Sequence, residues 1–350
     1  MFYNATGCII KEIIMVRSST LTLADIAKIA NVSKSTVSRA LSDSSLIAVE
    51  TRERIKKIAK ENNYCLNAAA KSLSLQRSST IGFVSSCYYL DYSVADLFDF
   101  EIMGGITNAL YTKGYDLLIL QVDPRRTDWA HRYLDGGRVD GFILMTGARK
   151  QNHVKACIEA DAPFVIWGVP EPDCHCSSVT GDNFKGTRLS TDYLIKQGRK
   201  RIAFIGGPED DLEVQQRFKG YEFELTQAGR VADQTIIAYG DYSMSYSQAA
   251  MKELLQNSPD IDAVVVCGDL MAVAAMDEIQ KSGRRIPDDI AVIGYDDLSI
   301  GNLSNPPLTT ISQHVEKAGR LLAETLLQQL ETGIVNNVTV PVELIKRQSA

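Results

Sequence analysis

TLADIAKIANVSKSTVSRAL, residues 22–41, decides how the rest of this chain is read. Thr22 can cap a helix whose third residue on, Asp25, completes a reciprocal capping pair. Ile26, Ala27, Ile29 and Ala30 then recur at helical spacing as one apolar stripe. Asn31-Val32 interrupts the pattern. Ser33 is a natural cap for a second short helix, from which Val37, Ala40 and Leu41 turn inward. Lys34, Ser35, Thr36, Ser38 and Arg39 are left on its outer face. The small Ala27 and Ala30 permit close approach. Two such helices about a tight turn predict a helix-turn-helix, whose second helix docks in the major groove of DNA. An ordinary helical hairpin with a solvated Ser/Lys face is the plain structural alternative.

The surroundings favour DNA. TRERIKKIAKENNY, residues 51–64, predicts a third helix with Ile55, Ile58 and Ala59 inward and basic side chains outward. Residues 15–77 hold 11 Lys+Arg against 5 Asp+Glu, a net of +6 in a chain of net −6; Lys11 and Glu12 cancel, leaving −12 for residues 78–350. A basic head on an acidic body is the asymmetry of a nucleic-acid-binding module joined to something else.

From residue 80 the pattern changes to apolar strand-like runs: IGFVSS, YDLLILQ, VDGFILM, PFVIWG, RIAFIGG, DAVVVCG and DIAVIGYD. Amphipathic stretches of helix length separate them, several ending in a glycine such as Gly114, Gly198 or Gly283. Continuous apolar strands alternating with helices predict parallel sheets covered on both faces. The 350 residues exceed one typical domain. No apolar run reaches the length of a membrane span. Seven scattered cysteines, an odd number, suit a reducing cytoplasm better than a disulfide framework. Residues 1–20 read as a disordered extension, with Met15 as an alternative start.

Together these stretches resemble the lactose-repressor (LacI/GalR-type) family of bacterial transcription regulators. The resemblance is carried by TLADIAKIANVSKSTVSRAL, TRERIKKIAKENNY, the Asn67-Ala70-Leu73 spacing, the Ile81-Gly82 strand start, DNFKGTRLSTDYLIKQG, RIAFIGG, RFKGYEFEL, VVVCGDLMAVAAM, IPDDIAVIGYDD and PPLTTI, in family order from residue 22 to about 311. It implies an α/β protein: an all-α helix-turn-helix head (residues 21–64), a hinge helix and linker (65–78), and a two-subdomain, periplasmic-binding-protein-like core with parallel sheets (79–350). The N-subdomain would hold about 79–176 and 311–336, the C-subdomain about 177–310 and 337–350.

The resemblance also implies residue roles. Lys34 and Ser35 would address base edges, and Arg39 would reach a guanine with both donors. Thr36 and Ser38 would hold phosphates, with Thr22 and Ser33 completing the DNA-facing set. Asn67, Ala70 and Leu73 share one face of the hinge, where Leu73 would wedge into a minor-groove step. Leu66 and Lys71 stand where the family usually has proline and arginine, and Ala48 replaces the usual serine cap of the third helix. In the core, Arg217 would fork onto ligand hydroxyls or a carboxylate. Asp269 would accept ligand hydroxyls, and Tyr242 would stack on the ligand. Asp182 and Asn183 would contact ligand or simply cap a helix. Asp96 and Phe98 would fall near the first-strand loop that lines the cleft. After PFVIWG the family's acidic residue and arginine are replaced by Gly168 and Val169, and Trp167 offers either an aromatic wall or core packing.

Other chemistries find little support. Cys174-His175-Cys176 could give two thiolates to an ion, but a structural zinc site needs four ligands, and CxxC is absent, so no metal is expected. HExxH, GxSxG and phosphate-loop patterns are also absent, so the chain reads as a non-enzyme without cofactors. Gly104-Gly105 and Gly206-Gly207 read as turn or packing glycines, and Asp296-Asp297 as a structural turn. The expected partners are a double-stranded operator, a small-molecule effector that is a sugar or sugar derivative, and a second copy of the chain; no membrane is involved. The competing class is a cytoplasmic sugar-sensing binding protein that acts through protein partners.

Overall fold

The computed structural model describes residues 21–64, 77–85, 96–123, 126–145 and 150–350. The chain divides between residues 76 and 77 into two units, which are taken separately. The hinge residues Asn67, Ala70 and Leu73, like the extension before residue 21, lie outside the described residues.

In the head, α1 (Leu23–Ala30), α2 (Lys34–Leu41) and α3 (Val49–Glu61) surround a core of Ile26, Ala27, Ala30, Val37, Ala40 and Ile55. The capping pair forms as read: the Asp25 carboxylate accepts from the Thr22 amide at 2.9 Å and from its hydroxyl at 2.7 Å. Asn31 ends α1 in the left-handed region at φ 49°, and Ser33 accepts the Thr36 amide at 3.1 Å to start α2. Ala48 gives α3 no side-chain cap. Ile29, expected inward, is 50% exposed, because the three-helix core closes on Ile26 and Ala30 without it. Asp43 instead braces the corner between α2 and α3 by accepting Lys56 Nζ at 2.6 Å, which holds its carboxyl below the usual range.

The core unit holds two six-stranded sheets. The first takes β1 (Thr80–Val84), β2 (Asp116–Leu120), β3 (Gly141–Met145), β4 (Phe164–Trp167), β5 (Ser177–Gly181) and β11 (Asn337–Val340), in the order β11-β5-β4-β3-β1-β2. The second takes β6 (Ile202–Gly206), β7 (Ile237–Tyr239), β8 (Ala263–Val266), β9 (Ala291–Asp296), β10 (Thr309–Ser312) and β12 (Glu343–Ile345), in the order β12-β10-β9-β8-β6-β7. Every pairing is parallel except β10 with β12. Helices α4 (Asp96–Thr112), α5 (Trp129–Leu134), α6 (Lys150–Glu159) and α12 (Val315–Thr332) belong with the first sheet. Helices α7 (Asn183–Lys196), α8 (Leu212–Gln227), α9 (Met244–Asn257), α10 (Asp269–Lys281) and α11 (Ser299–Leu303) belong with the second. Where α4 crosses α12, Gly105 and Gly319 leave no room for a Cβ against the opposing backbone, so Gly105 is a packing glycine.

The lobe boundaries differ from the expected ones. β5 and β11 pair with each other in the first sheet, with Ser178 opposite Asn337, and β10 lies in the second sheet against β9. The first lobe therefore runs through Gly181 and returns through Val340. The reason is chemical: SSVTG and NVTV are polar strands that lack the apolar run by which the other strands announce themselves. Among the described residues, no helix is long and apolar enough to cross a membrane.

Candidate functional site

Both sheets reverse their strand order beside their first strand, and ligands of such open sheets bind outside the carboxyl ends of the strands. In this core those ends meet between the lobes. Leu270 and Leu298 of the second lobe are buried in the same apolar cluster as Trp167 of the first, with Phe98, Met244 and Ile300 packed against it.

Arg217 sits in the second turn of α8, 6% exposed. Its Nε donates to Asn183 Oδ1 at 2.8 Å and one terminal nitrogen to the Cys267 carbonyl at 2.9 Å. Its guanidinium carbon lies 3.9 Å from the centre of the Tyr295 ring. Burial alone would discourage the charge, but Tyr295, Tyr242, Cys267 and Asp296 more than offset this and the net shift is upward. A planar cation fixed on three sides presents its remaining donors in one direction.

Asp269, expected to accept ligand hydroxyls, is fully buried: one oxygen accepts the Leu298 amide at 2.7 Å and the other the Thr310 hydroxyl at 2.5 Å. It knots together α10, β10 and the segment after β9. Asp296, expected to be part of a structural turn, is half-buried at the carboxyl end of β9 and interacts electrostatically with Arg217. Burial pushes its carboxyl up to about 6 against the opposing pull of Arg217 and of Gln313, whose Nε2 donates to it at 2.7 Å. Asp269 is also raised, by burial and then by Asp296. Asp297 has an ion pair with Arg347 at 2.5 Å. Both Asp296 and Asp297 hold positive φ, at 118° and 63°, a strain that side chains bear where the surroundings over-determine them.

The other expected residues fall around this pair. Asn183 is buried and accepts from Arg217, which fixes the orientation of the cation. Asp182 caps α7 by accepting the Lys185 amide at 3.1 Å. Tyr242, at φ 65°, donates its hydroxyl to Asp211 at 3.3 Å and covers Gly207, where a Cβ would lie 2.3 Å from the ring. Trp167 ends β4 and meets Phe98 with ring centroids 5.6 Å apart and planes tilted by 40°. Asp96 begins α4, and its side chain lies outside the described residues. Cys174, His175 and Cys176 diverge: Cys176 turns into the core while His175 is exposed. Asp296 was read from the sequence only as part of a turn, and Glu213 drew no reading. The first carried the same strand-end signal as Asp269, and the second stands one helical turn before Arg217 on the same face.

In the head, Lys34, Ser35 and Arg39 are exposed and Thr36 and Ser38 half-buried. The Ser33 hydroxyl lies 2.7 Å from that of Ser35 and 2.8 Å from that of Thr36, so the two long cations are the side chains that project unencumbered from α2. Thr22 is exposed but engaged with Asp25.

A helix-turn-helix head on a two-lobed, binding-protein-like core defines a DNA-binding regulator. Residues 22–67 match the lacI family of bacterial regulatory proteins, and residues 191–350 match the periplasmic binding protein-like domain. The HTH-type transcriptional regulator CelR of Thermobifida fusca is 36% identical over 337 residues, covering 95% of this chain and 97% of that protein. The transcriptional repressor PurR of Aliivibrio salmonicida is 30% identical over 315 residues, 89% of this chain and 92% of that one. A structure of the CelR-cellobiose complex superposes with a TM-score of 0.71 at 32% identity, covering 94% of this chain and all of that one. A lac repressor dimer bound to operator and an anti-inducer gives 0.80 at 28% identity, covering 94% and 98%. The chain belongs to the lacI family of bacterial regulatory proteins, and it is a DNA-binding transcription regulator.

Proposed function

We propose that the protein is a repressor that binds a near-palindromic operator as a homodimer and answers to a sugar or sugar derivative held between the lobes of its core. The observation that carries this is Arg217, a fixed fork of donors held by Asn183 and the Cys267 carbonyl, with the Asp296 carboxylate feeling its charge from the carboxyl end of β9. In the apolar cluster that the two lobes share, Trp167 and Phe98 supply the surface on which a sugar ring packs. In this reading Asp296 accepts ligand hydroxyls, and Asp269 and Asn183 position the groups that do the binding.

Dimerisation is supported by apolar side chains left in water on the first lobe: Phe100, Tyr111 and Ile119 are 65%, 84% and 61% exposed. A monomer would pay to hydrate them. Lys34, Ser35 and Arg39 address the bases, Thr36 and Ser38 the phosphates, and Asn67, Ala70 and Leu73 supply the hinge contacts. Effector and operator then shift each other's affinity by the same factor, since coupling between two binding sites is reciprocal.

The relative that is described in complex with cellobiose makes that sugar the first probe. Duplexes selected from random sequence are titrated with the protein by fluorescence anisotropy, with and without cellobiose and other neutral, acidic and phosphorylated sugars. The expected result is sequence-selective binding that falls steeply with salt and that one sugar class changes. Binding indifferent to sequence, or to every sugar that raises the melting temperature of the core, overturns the reading.

A further inference from the structure

Two hydrogen bonds cross between the lobes in opposite directions. The Val169 amide, just after β4 of the first lobe, donates to Glu213 Oε1 on α8 of the second at 2.8 Å. The Ser299 amide, at the start of α11 in the second lobe, donates to Glu101 Oε1 on α4 of the first at 2.9 Å. Each lobe thus lends one carboxylate and one backbone donor. Glu213 is only 8% exposed, so its bond is partly shielded from competing water, whereas the Glu101 bond is open to solvent. A charged acceptor makes such bonds stronger than neutral ones.

The first of these bonds depends on a local oddity. Gly168 lies at φ 118°, a conformation that favours glycine and that aims the next amide out of the strand. This is the place after β4 where the sequence lacks an acidic side chain of its own. The carboxylate found there arrives instead from the other lobe. It is carried by the helix that presents Arg217, four residues on, so both side chains share one rigid face.

We propose that Glu213 and Glu101 are a reciprocal clasp: positioning residues that set how readily the two lobes close, with α8 linking closure to the Arg217 end of the effector site. The link to an effector rests on the function proposed above; the clasp itself does not. If the clasp holds the closed form, its loss lowers the closed fraction, and apparent effector affinity falls in proportion.

Hydrogen exchange of the full-length protein, read by mass spectrometry on peptides containing Val169 and Ser299, tests this without knowledge of the ligand. Glu213→Ala is expected to speed exchange at Val169 and also at Ser299, each by about tenfold or more. Glu101→Ala is expected to do the reverse, loosening Val169 from the other side. Glu213→Gln, whose amide oxygen still accepts from Val169, is expected to keep most of the protection. Loosening confined to each variant's own amide, or Glu213→Gln as loose as Glu213→Ala, overturns the clasp. A second arm repeats the measurement with cellobiose. Cross-loosening in the variants with no response of the wild type to cellobiose sinks that effector assignment and leaves the clasp standing.

Discussion

The head and the core distribute charge and water in opposite ways. On α2 of the head, Lys34 and Arg39 stand in solvent over a small apolar core. In the core, Arg217 is 6% exposed and already bonded to Asn183 and Cys267 beneath the face of Tyr295. An exposed cation suits a long polyanion, whose field finds it at a distance and whose counterions are released on binding. A buried, pre-tied cation suits a small polar ligand, because its orientation is settled before the ligand arrives. The first kind of recognition is sensitive to salt, and the second to protonation and packing.

The largest expected effect tests the buried half. Arg217→Ala leaves Asn183 Oδ1 and the Cys267 carbonyl without their donor, and each buried acceptor left unsatisfied costs about 1–3 kcal/mol. Urea unfolding of the core and calorimetric titration with the effector should both register it, while Arg217→Lys recovers charge without the planar fork. A core as stable as wild type after the alanine change would break the contrast.

Next comes pH. Asp296 has its carboxyl pushed up to about 6 from 3.8, so the folded protein holds this proton more tightly than the unfolded chain does. Its contribution to stability is full below about pH 4 and is lost as pH rises through 6. Asp296→Asn should therefore gain stability relative to wild type at pH 8 over pH 4. Effector affinity should move the opposite way in wild type, rising with pH through 6 as the hydroxyl acceptor ionises, and be flat in the variant. A wild-type affinity without inflection near pH 6 would remove Asp296 from the ligand's contacts.

On the exposed half, Arg39→Ala should cost roughly 1–3 kcal/mol of specific operator binding and relax base preference at one position. Gel-shift titration against the preferred duplex reads this, and the thermal shift given by the effector should stay as it was. Equal affinity of variant and wild type would reassign the contact. The smallest effect expected is at the cap: Ser33→Ala should lower the stability of the head by about 1 kcal/mol, measured by its own thermal transition. No change would mean that the Ser33 bond to the Thr36 amide contributes nothing.

Much of the head was legible in the sequence because its signals are local. The Thr22–Asp25 capping pair, the Ser33 cap and the missing cap at Ala48 all lie within four residues of their partners. Ile29 misled because periodicity ranks it with Ile26, whereas a three-helix core has room for only one side of the stripe. In the core, apolar runs announced most strands, but polar SSVTG and NVTV did not, and with them went the lobe boundaries. Asp269 and Asp296 each follow a strand and look alike in the sequence. What separates them is that Leu298 and Thr310, far along the chain, donate to the first and Gln313 to the second.

By itself, then, the sequence determined that this chain carries a helix-turn-helix on a basic head and an alternating β/α body, because caps, helical stripes and apolar strands are written in neighbouring residues. The tertiary structure alone decided which groups hold Arg217 and where the lobes exchange strands. It alone showed that Glu213 reaches across to the Val169 amide, 44 residues away in sequence. Those facts depend on groups brought together from distant segments, and on a burial that no local pattern encodes.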